Sequence, residues 1–181
     1  LIRANSLEDA KITAYHIGFV LGPCINASGR LDTAARSLAL LNAKTKEEAA
    51  RLAGDLTALN QSRKALTEKG KEEAIRIIET TELKNDRVLV VYLPDCHESL
   101  AGIIAGRIRE KYHRPAFVLT GGETSAKGSG RSIESYSMYE ELVKCADLMI
   151  QFGGHPMAAG LSIEEKNIEE FRRRLNVNCT L

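Results

Sequence analysis

The sequence predicts an α/β fold, with a small mixed β-sheet domain flanked by helices, preceded by an α-helical segment and a long linker helix. Three observations carry that prediction. From Thr45 to about Thr80 the chain holds no proline, and its apolar residues recur at alternating steps of three and four. After residue 86 short β-branched runs alternate with a helical stripe, as strand–helix–strand units do. Pairs of glycines then punctuate the second half at Gly121-Gly122 and Gly153-Gly154.

Taken in order, Ser6 with Asp9 resembles a capping box opening a first helix, which Gly22-Pro23 is expected to stop. A turn through Gly22-Pro23-Cys24-Ile25-Asn26-Ala27-Ser28-Gly29-Arg30 follows, then a short helix from Asp32 to Leu41. Thr45 and Glu48 form a second capping box. Beyond it, Ala49, Leu52, Leu56, Leu59, Arg63 and Leu66 make one narrow stripe on a helix. About 35 residues at roughly 1.5 Å each give roughly 50 Å, the length of a strut between two bodies.

Arg87 to Tyr92 reads as a buried strand, and Leu100, Ile104 and Ile108 share one face of the next helix. Ala116 to Thr120 is a second strand, and Lys127 to Ile133 is extended. Tyr136 to Cys145 is helical, Ala158 to Ile163 is strand-like, and Ile168 to Leu175 is a closing helix. The segments are therefore 1–44, an α-helical tail; 45–82, the linker helix; and 83–181, the α/β domain.

Composition narrows the function. The chain has 181 residues, 44% hydrophobic and 27% charged, with 25 basic against 24 acidic side chains for a net charge of +1. A nucleic-acid site must then be a local patch, since bulk charge supplies none. No apolar run approaches the roughly 20 residues of a membrane span. Cys24, Cys96, Cys145 and Cys179 are scattered without C-x-x-C spacing, which argues for reduced thiols in a cytoplasmic protein, against a disulfide framework or zinc site. The chain opens at Leu1-Ile2-Arg3 and reads as a piece of a longer protein.

Four segments carry chemistry. In Lys127-Gly128-Ser129-Gly130-Arg131-Ser132, glycines expose backbone N–H groups, Ser129 and Ser132 add hydroxyls, and Arg131 adds a planar fork that fits a phosphate. The competing reading is a flexible hairpin with a solvated arginine. In Phe152-Gly153-Gly154-His155-Pro156-Met157, paired glycines precede a histidine able to donate to phosphate or stack on a base. In the Gly22–Arg30 segment, Asn26 can tie a loop and Arg30 can reach a phosphate or a carboxylate, although Gly-Pro and Ser-Gly also serve as plain turn formers. Asp95-Cys96-His97-Glu98-Ser99 holds an acid, a thiol and an imidazole, but its place before a helix favours capping over metal binding or nucleophilic attack. Arg107, Arg109, Lys111 and Arg114 form a solvated helix face or extend a phosphate track, and Arg172-Arg173-Arg174 complements a helix C-terminus. His16, His97, His113 and His155 sit in no D-H-H, D-x-D or H-x-x-x-H setting, so no self-contained hydrolytic metal site is expected.

Taken together, GPCINASGRLDTA, HESLAGIIAGRIREKYHRPAFVL, KGSGRSI and FGGHPMAAGLSI resemble, in order, the motifs of the RecJ-type single-stranded-DNA-specific exonucleases of the DHH phosphoesterase superfamily. Departures are Cys24 where arginine is common, Cys96 where an aromatic residue is frequent, and Ser99-Leu100-Ala101 in place of G-V-I. The resemblance implies a C-terminal fragment containing the DHH-associated domain of a 5′-to-3′ exonuclease of DNA repair and recombination. It implies that residues 1–44 are the tail of the DHH catalytic domain, whose Asp/His cluster binds Mn²⁺ or Mg²⁺. It also implies that the fragment alone is inactive, with neither catalytic residues nor metal ligands of its own. The substrate-binding residues it implies are Ser129, Gly130, Arg131, Ser132, Gly153, Gly154, His155, Arg30 and Asn26. The partner is single-stranded DNA, with other repair proteins open and no membrane. Two alternatives stand beside this reading: the substrate-binding part of an oligonucleotide or cyclic-dinucleotide phosphodiesterase, and a non-catalytic nucleic-acid-binding module.

Overall fold

The computed structural model describes residues 1–181. The chain divides into two compact units, Leu1–Leu66 and Thr67–Leu181, and the division falls inside one long helix.

In the first unit a short turn precedes helix α1 (Ala14–His16), a π-helical segment (Ile17–Leu21) and helix α2 (Gly22–Leu31). The expected N-terminal capping box at Ser6 does not form. Ser6 is left-handed, with φ 54°, and the helix opens at Thr13, whose N–H donates to His16 Nδ1 at 3.2 Å. The expected turn from Gly22 to Arg30 is also corrected, because that segment is α2 itself. Pro23 sits inside one continuous helical run from Ala14 to Leu31, directly after a π turn, the kind of local widening that accommodates a residue lacking an N–H. The π turn before it widens the backbone, and Gly22 N–H reaches the Ile17 carbonyl. A β-carbon at Gly22 would lie 2.8 Å from that oxygen, so glycine is the residue that lets the turn close.

Helix α3 (Ala35–Asn42) follows, docked through a buried hydroxyl pair, Ser28 Oγ to Ser37 Oγ at 2.7 Å. Helix α4 (Lys46–Thr80) is 35 residues long and contributes Leu52, Ala53 and Leu56 to the core with Cys24 and Ala27. Its start is fixed by Thr45 Oγ1, which accepts from Glu48 N at 3.1 Å.

The second unit is built on a five-stranded sheet of order β1-β2-β3-β5-β4. Its strands are β1 (Leu89–Leu93), β2 (Ala116–Thr120), β3 (Ala126–Arg131), β4 (Met149–His155) and β5 (Ala158–Ile163). Strands β1 and β2 are parallel, joined by helix α5 (Glu98–Tyr112), and the other pairings are antiparallel. The mixed sheet follows from the connections, since only the helical crossover can return the chain parallel.

Helices α6 (Met138–Val143) and α7 (Ile168–Asn178) cover one face of this sheet. Val88, Val90, Phe117, Leu119, Leu161 and Ile163 meet Met138, Leu142, Phe171 and Leu175 there, all buried. Phe117 and Phe171 pack edge to face at 5.4 Å and 76°. The other face is apolar only over β1 and β2, where Leu89, Val91, Ala116 and Val118 lie under α5 and the Ala74–Ile78 turn of α4. Asn176 ties α7 to the start of β1. Its Oδ1 accepts from Arg87 N at 2.8 Å and Val88 N at 3.0 Å, and its Nδ2 donates to Val88 O at 3.0 Å.

Candidate nucleic-acid interface

Strand alternation turns KGSGRS into two different faces. The segment expected to be extended from Lys127 is strand β3, with Ala126, Gly128 and Gly130 buried and Lys127, Ser129 and Arg131 on the opposite face. The two buried glycines serve the core. A β-carbon on Gly130 would lie 2.6 Å from both Met138 Sδ and Phe117 Cε1, and one on Gly128 would lie 3.0 Å from Leu161 Cγ. Gly128 and Gly130 lie in a strand paired on both sides, with β2 and with β5, and are not the exposed-N–H loop expected of them.

Directly opposed residues of neighbouring strands share a face. Lys127 pairs with Ser162 and Ser162 with Gln151; Ser129 pairs with Gly160 and Gly160 with Gly153; Arg131 pairs with Ala158 and Ala158 with His155. Three rows across β3, β5 and β4 thus share one face of the sheet, on which α5 lies against Ser129 and Arg131 of β3 and leaves Gly160 of β5 and Gln151, Gly153 and His155 of β4 exposed. Arg131 and His155 stand in the same row two strands apart, about 10 Å at the usual strand spacing.

Beside these rows, between the sheet and the start of α5, is a cavity of about 510 Å³ lined by Glu98, Ser99, Lys127, Ser129, Gln151 and Ser162 among others. Lys127 Nζ donates to Ser162 Oγ at 3.1 Å. Gly153 and Gly160 form part of its floor, and β-carbons there would meet nothing within 4 Å and only a carbonyl at 3.8 Å, respectively. Glycine at these two positions keeps the cavity floor clear of side chains. Gly154, at φ 157°, has another duty. A β-carbon there would lie 2.5 Å from Ala158 O, so it permits close pairing of β4 and β5.

Ser132 is 1% exposed, and its hydroxyl donates to Tyr136 O at 2.6 Å. The structure therefore brings Ser129, Arg131, Gly153 and His155 onto the shared face and turns Gly130, Gly154 and Ser132 to packing. Lys127, Gln151, Gly160 and Ser162 join the face without having been singled out as site residues. They come together only through the register of β3, β5 and β4.

Asn26 and Arg30 are in the first unit, one turn apart on α2 and so on the same side of it. Arg63 Nε donates to Asn60 Oδ1 at 3.0 Å, and its guanidinium is held below the usual arginine range by burial and by the charge of Arg30. Two cations therefore share that locality. Arg63 sat in the apolar stripe of α4, where a charged residue was the visible signal.

The other basic runs are occupied by acids and carbonyls. Arg107 and Arg109 pair with Glu110, and Arg114 donates to the Lys84 and Asp86 carbonyls at 2.9 Å each. Arg172 pairs with Asp86 and Arg173 with Glu170, while Arg174 pairs with Glu170 and Asp147. In the Asp95–Ser99 segment His97 caps α5, its Nδ1 accepting from Ser99 N at 3.3 Å. Burial pushes the Cys96 thiol up, away from the thiolate a nucleophile needs. No group of three or more His, Cys, Asp or Glu side chains is placed to hold a metal ion. The residues present do not fit a divalent-metal centre, and no metal-assisted step falls to them. No helix is long and apolar enough to cross a membrane.

Comparison with known proteins gives a consistent result. The DHHA1 domain family matches residues 85–179. The chain is 40% identical over 182 aligned residues to the single-stranded-DNA-specific exonuclease RecJ of Escherichia coli, covering 96% of this chain and 32% of that protein. It is 36% identical to RecJ of Bacillus subtilis, covering 97% of this chain and 22% of that protein. A crystal structure of Thermus thermophilus RecJ in complex with Mg²⁺ superposes with a TM-score of 0.83 at 32% identity, over 91% of this chain and 26% of that one. A structure of exonuclease RecJ bound to manganese gives 0.79 at 32% identity, over 91% and 41%. The chain thus spans about a third or less of the length of the curated relatives it matches.

Proposed function

The chain belongs to the DHHA1 domain family, and on that premise we propose that it is the substrate-binding part of a longer single-stranded-DNA-specific exonuclease of DNA repair and recombination. Its role is to hold the sugar-phosphate backbone and the 5′-phosphate end of the strand. The observation that carries this reading is the polar face shared by β3, β5 and β4, left exposed by α5 over β5 and β4, in a sheet whose other surfaces are apolar and covered.

Arg131 supplies a planar, always-charged fork for phosphate oxygens, and Lys127 a point charge four residues before it on the same face of β3. Ser129 adds a short hydroxyl donor. His155 donates to a phosphate or stacks on a base at the far edge. Gly153 and Gly160 let the strand approach the sheet. Within the first unit, Asn26 and Arg30 are a separate candidate contact for the sugar-phosphate backbone, and the charge of Arg30 is felt at Arg63. Holding the scissile group still lowers the barrier that another group must cross, through orientation and through positive charge where negative charge develops. The divalent ions named for two relatives supply the hydrolytic chemistry, held by parts of the longer protein outside this chain. Directionality from 5′ to 3′, a cytoplasmic location and further repair-protein partners belong to the same proposal and rest on the family resemblance.

The test is the affinity of Arg131→Ala for single strands bearing either a 5′-phosphate or a 5′-hydroxyl. Removing a charge-assisted bidentate contact is expected to weaken the phosphorylated strand by roughly 10- to 100-fold. The hydroxyl strand should lose far less. Equal losses for both strands would remove end recognition from the account.

A further inference from the structure

We infer that Gly102, on α5, is a positioning residue whose missing side chain forms the slot that aims the Arg131 guanidinium along the open sheet face, an inference that rests on the reading just given. Glycine is among the least favourable residues for a helix interior, yet α5 carries it at both 102 and 106, one turn apart. Both face Arg131. A β-carbon on Gly102 would lie 2.7 Å from Arg131 Nη2, 3.3 Å from its Cζ and 3.5 Å from Ser129 Cβ. One on Gly106 would lie 4.0 Å from Arg131 Cγ, an ordinary van der Waals distance. The arginine stem therefore runs along the helix, and its head occupies the space where an alanine methyl at 102 would stand. Arg131 Nη1 donates to Gly130 O at 2.7 Å, which fixes one side of the head, while the helix backbone at 102 limits the other.

The atoms that a methyl at 102 meets first are the tip of a flexible side chain. Gly102→Ala thus moves the guanidinium and leaves the sheet and α5 in place. A role in packing alone predicts something different, because a methyl that only fills space or improves helix propensity leaves the choice between two strand ends unchanged.

The experiment measures binding of the chain and its variants to 5′-phosphorylated and 5′-hydroxyl single strands of one sequence, together with thermal midpoints. Gly102→Ala is expected to keep or raise the midpoint and to lower the phosphate-over-hydroxyl preference roughly 10-fold, the scale of one misdirected charged hydrogen bond. Gly106→Ala should keep the preference. Gly102→Ala combined with Arg131→Ala should be no worse than Arg131→Ala alone, since residues acting through one group are not additive. If Arg131→Ala abolishes the preference while Gly102→Ala retains it, the slot is refuted and the end-binding reading survives. If the unaltered chain shows no preference, or Arg131→Ala leaves it intact, the end-binding reading itself falls. Should Gly102→Ala lower the midpoint, Gly102→Ser with the same preference as the parent refutes the slot, and a loss matching Arg131→Ala upholds it.

Discussion

Gly130→Ala is expected to destabilise the sheet unit by about 1–3 kcal/mol, whereas Gly153→Ala changes stability by less than about 0.5 kcal/mol. Both are single methyl additions to glycines in strands of one sheet. The difference lies in what each methyl meets. At Gly130 it would lie 2.6 Å from Met138 Sδ and from Phe117 Cε1, and 2.8 Å from Phe117 Cδ1. Both neighbours are fully buried, and Phe117 is locked edge to face with Phe171, so neither can swing into solvent. Overpacking a close-packed interior forces off-rotamer side chains and backbone shifts. At Gly153 nothing stands within 4 Å, and replacing glycine by alanine restricts the unfolded chain slightly, which favours folding where the backbone allows it. Thermal melts followed by circular dichroism should show Gly130→Ala lowered by several degrees, at roughly 4 °C for each kcal/mol. The same samples tested against a single strand should show weaker binding for Gly153→Ala, whose methyl enters the cavity. A Gly130→Ala protein as stable as the parent, or a Gly153→Ala protein less stable than Gly130→Ala, would refute the assignment of one sheet face to packing and the other to ligand.

Asn176→Ala removes three hydrogen bonds that hold α7 to Arg87 and Val88. It should cost about 2–3 kcal/mol, read from the urea midpoint, because two backbone N–H groups and a carbonyl lose their side-chain partner. A change below about 0.5 kcal/mol would show that the clasp is dispensable. Acid stability has a separate source. The Glu170 carboxylate accepts from Arg173 at 2.7 Å and from Arg174 at 2.8 Å, which holds it down to about 2 from its ordinary 4.5. A carboxyl depressed in the folded state stabilises above its unfolded value and loses that contribution as pH falls through the folded one. Stability should therefore decline between about pH 4.5 and 2, less steeply in Glu170→Gln and in high salt. An unchanged slope in the variant would assign the acid sensitivity elsewhere.

The elements with strong periodicity were legible in the chain. Strands β1 and β2 are short β-branched runs, α5 has a single apolar stripe, and α4 from Lys46 to Thr80 follows its Thr45 cap and its three-four stepping. What misled were the glycines and a proline. Gly22-Pro23 reads as a stop, yet the helix runs on through it, because the π turn of Ile17–Leu21 directly before it accommodates the missing N–H. In Lys127–Arg131 and Gly153-Gly154 a glycine that makes room for a ligand cannot be told from one that makes room for a phenylalanine until the neighbouring strand is known. Gly128 and Gly130 are of the second kind, whereas Gly153 faces open space.

The same limit hid Lys127, Ser162 and Gln151, which meet only because three strands align in register. It also hid Gly102, whose relation to Arg131 depends on how α5 crosses β3. Arg131 and His155 were recognisable as chemistry in the sequence, but their common row was not, since it follows from both pairing with Ala158.

Solving the chain with a short 5′-phosphorylated single strand bound tests the central claim most directly. The account predicts the terminal phosphate within hydrogen-bonding reach of the Arg131 guanidinium, Ser129 Oγ or Lys127 Nζ, with the strand running over Gly160 and Gly153 toward His155. A phosphate held instead at the α7 arginines, or DNA that leaves the open face of β3, β5 and β4 bare, would contradict it.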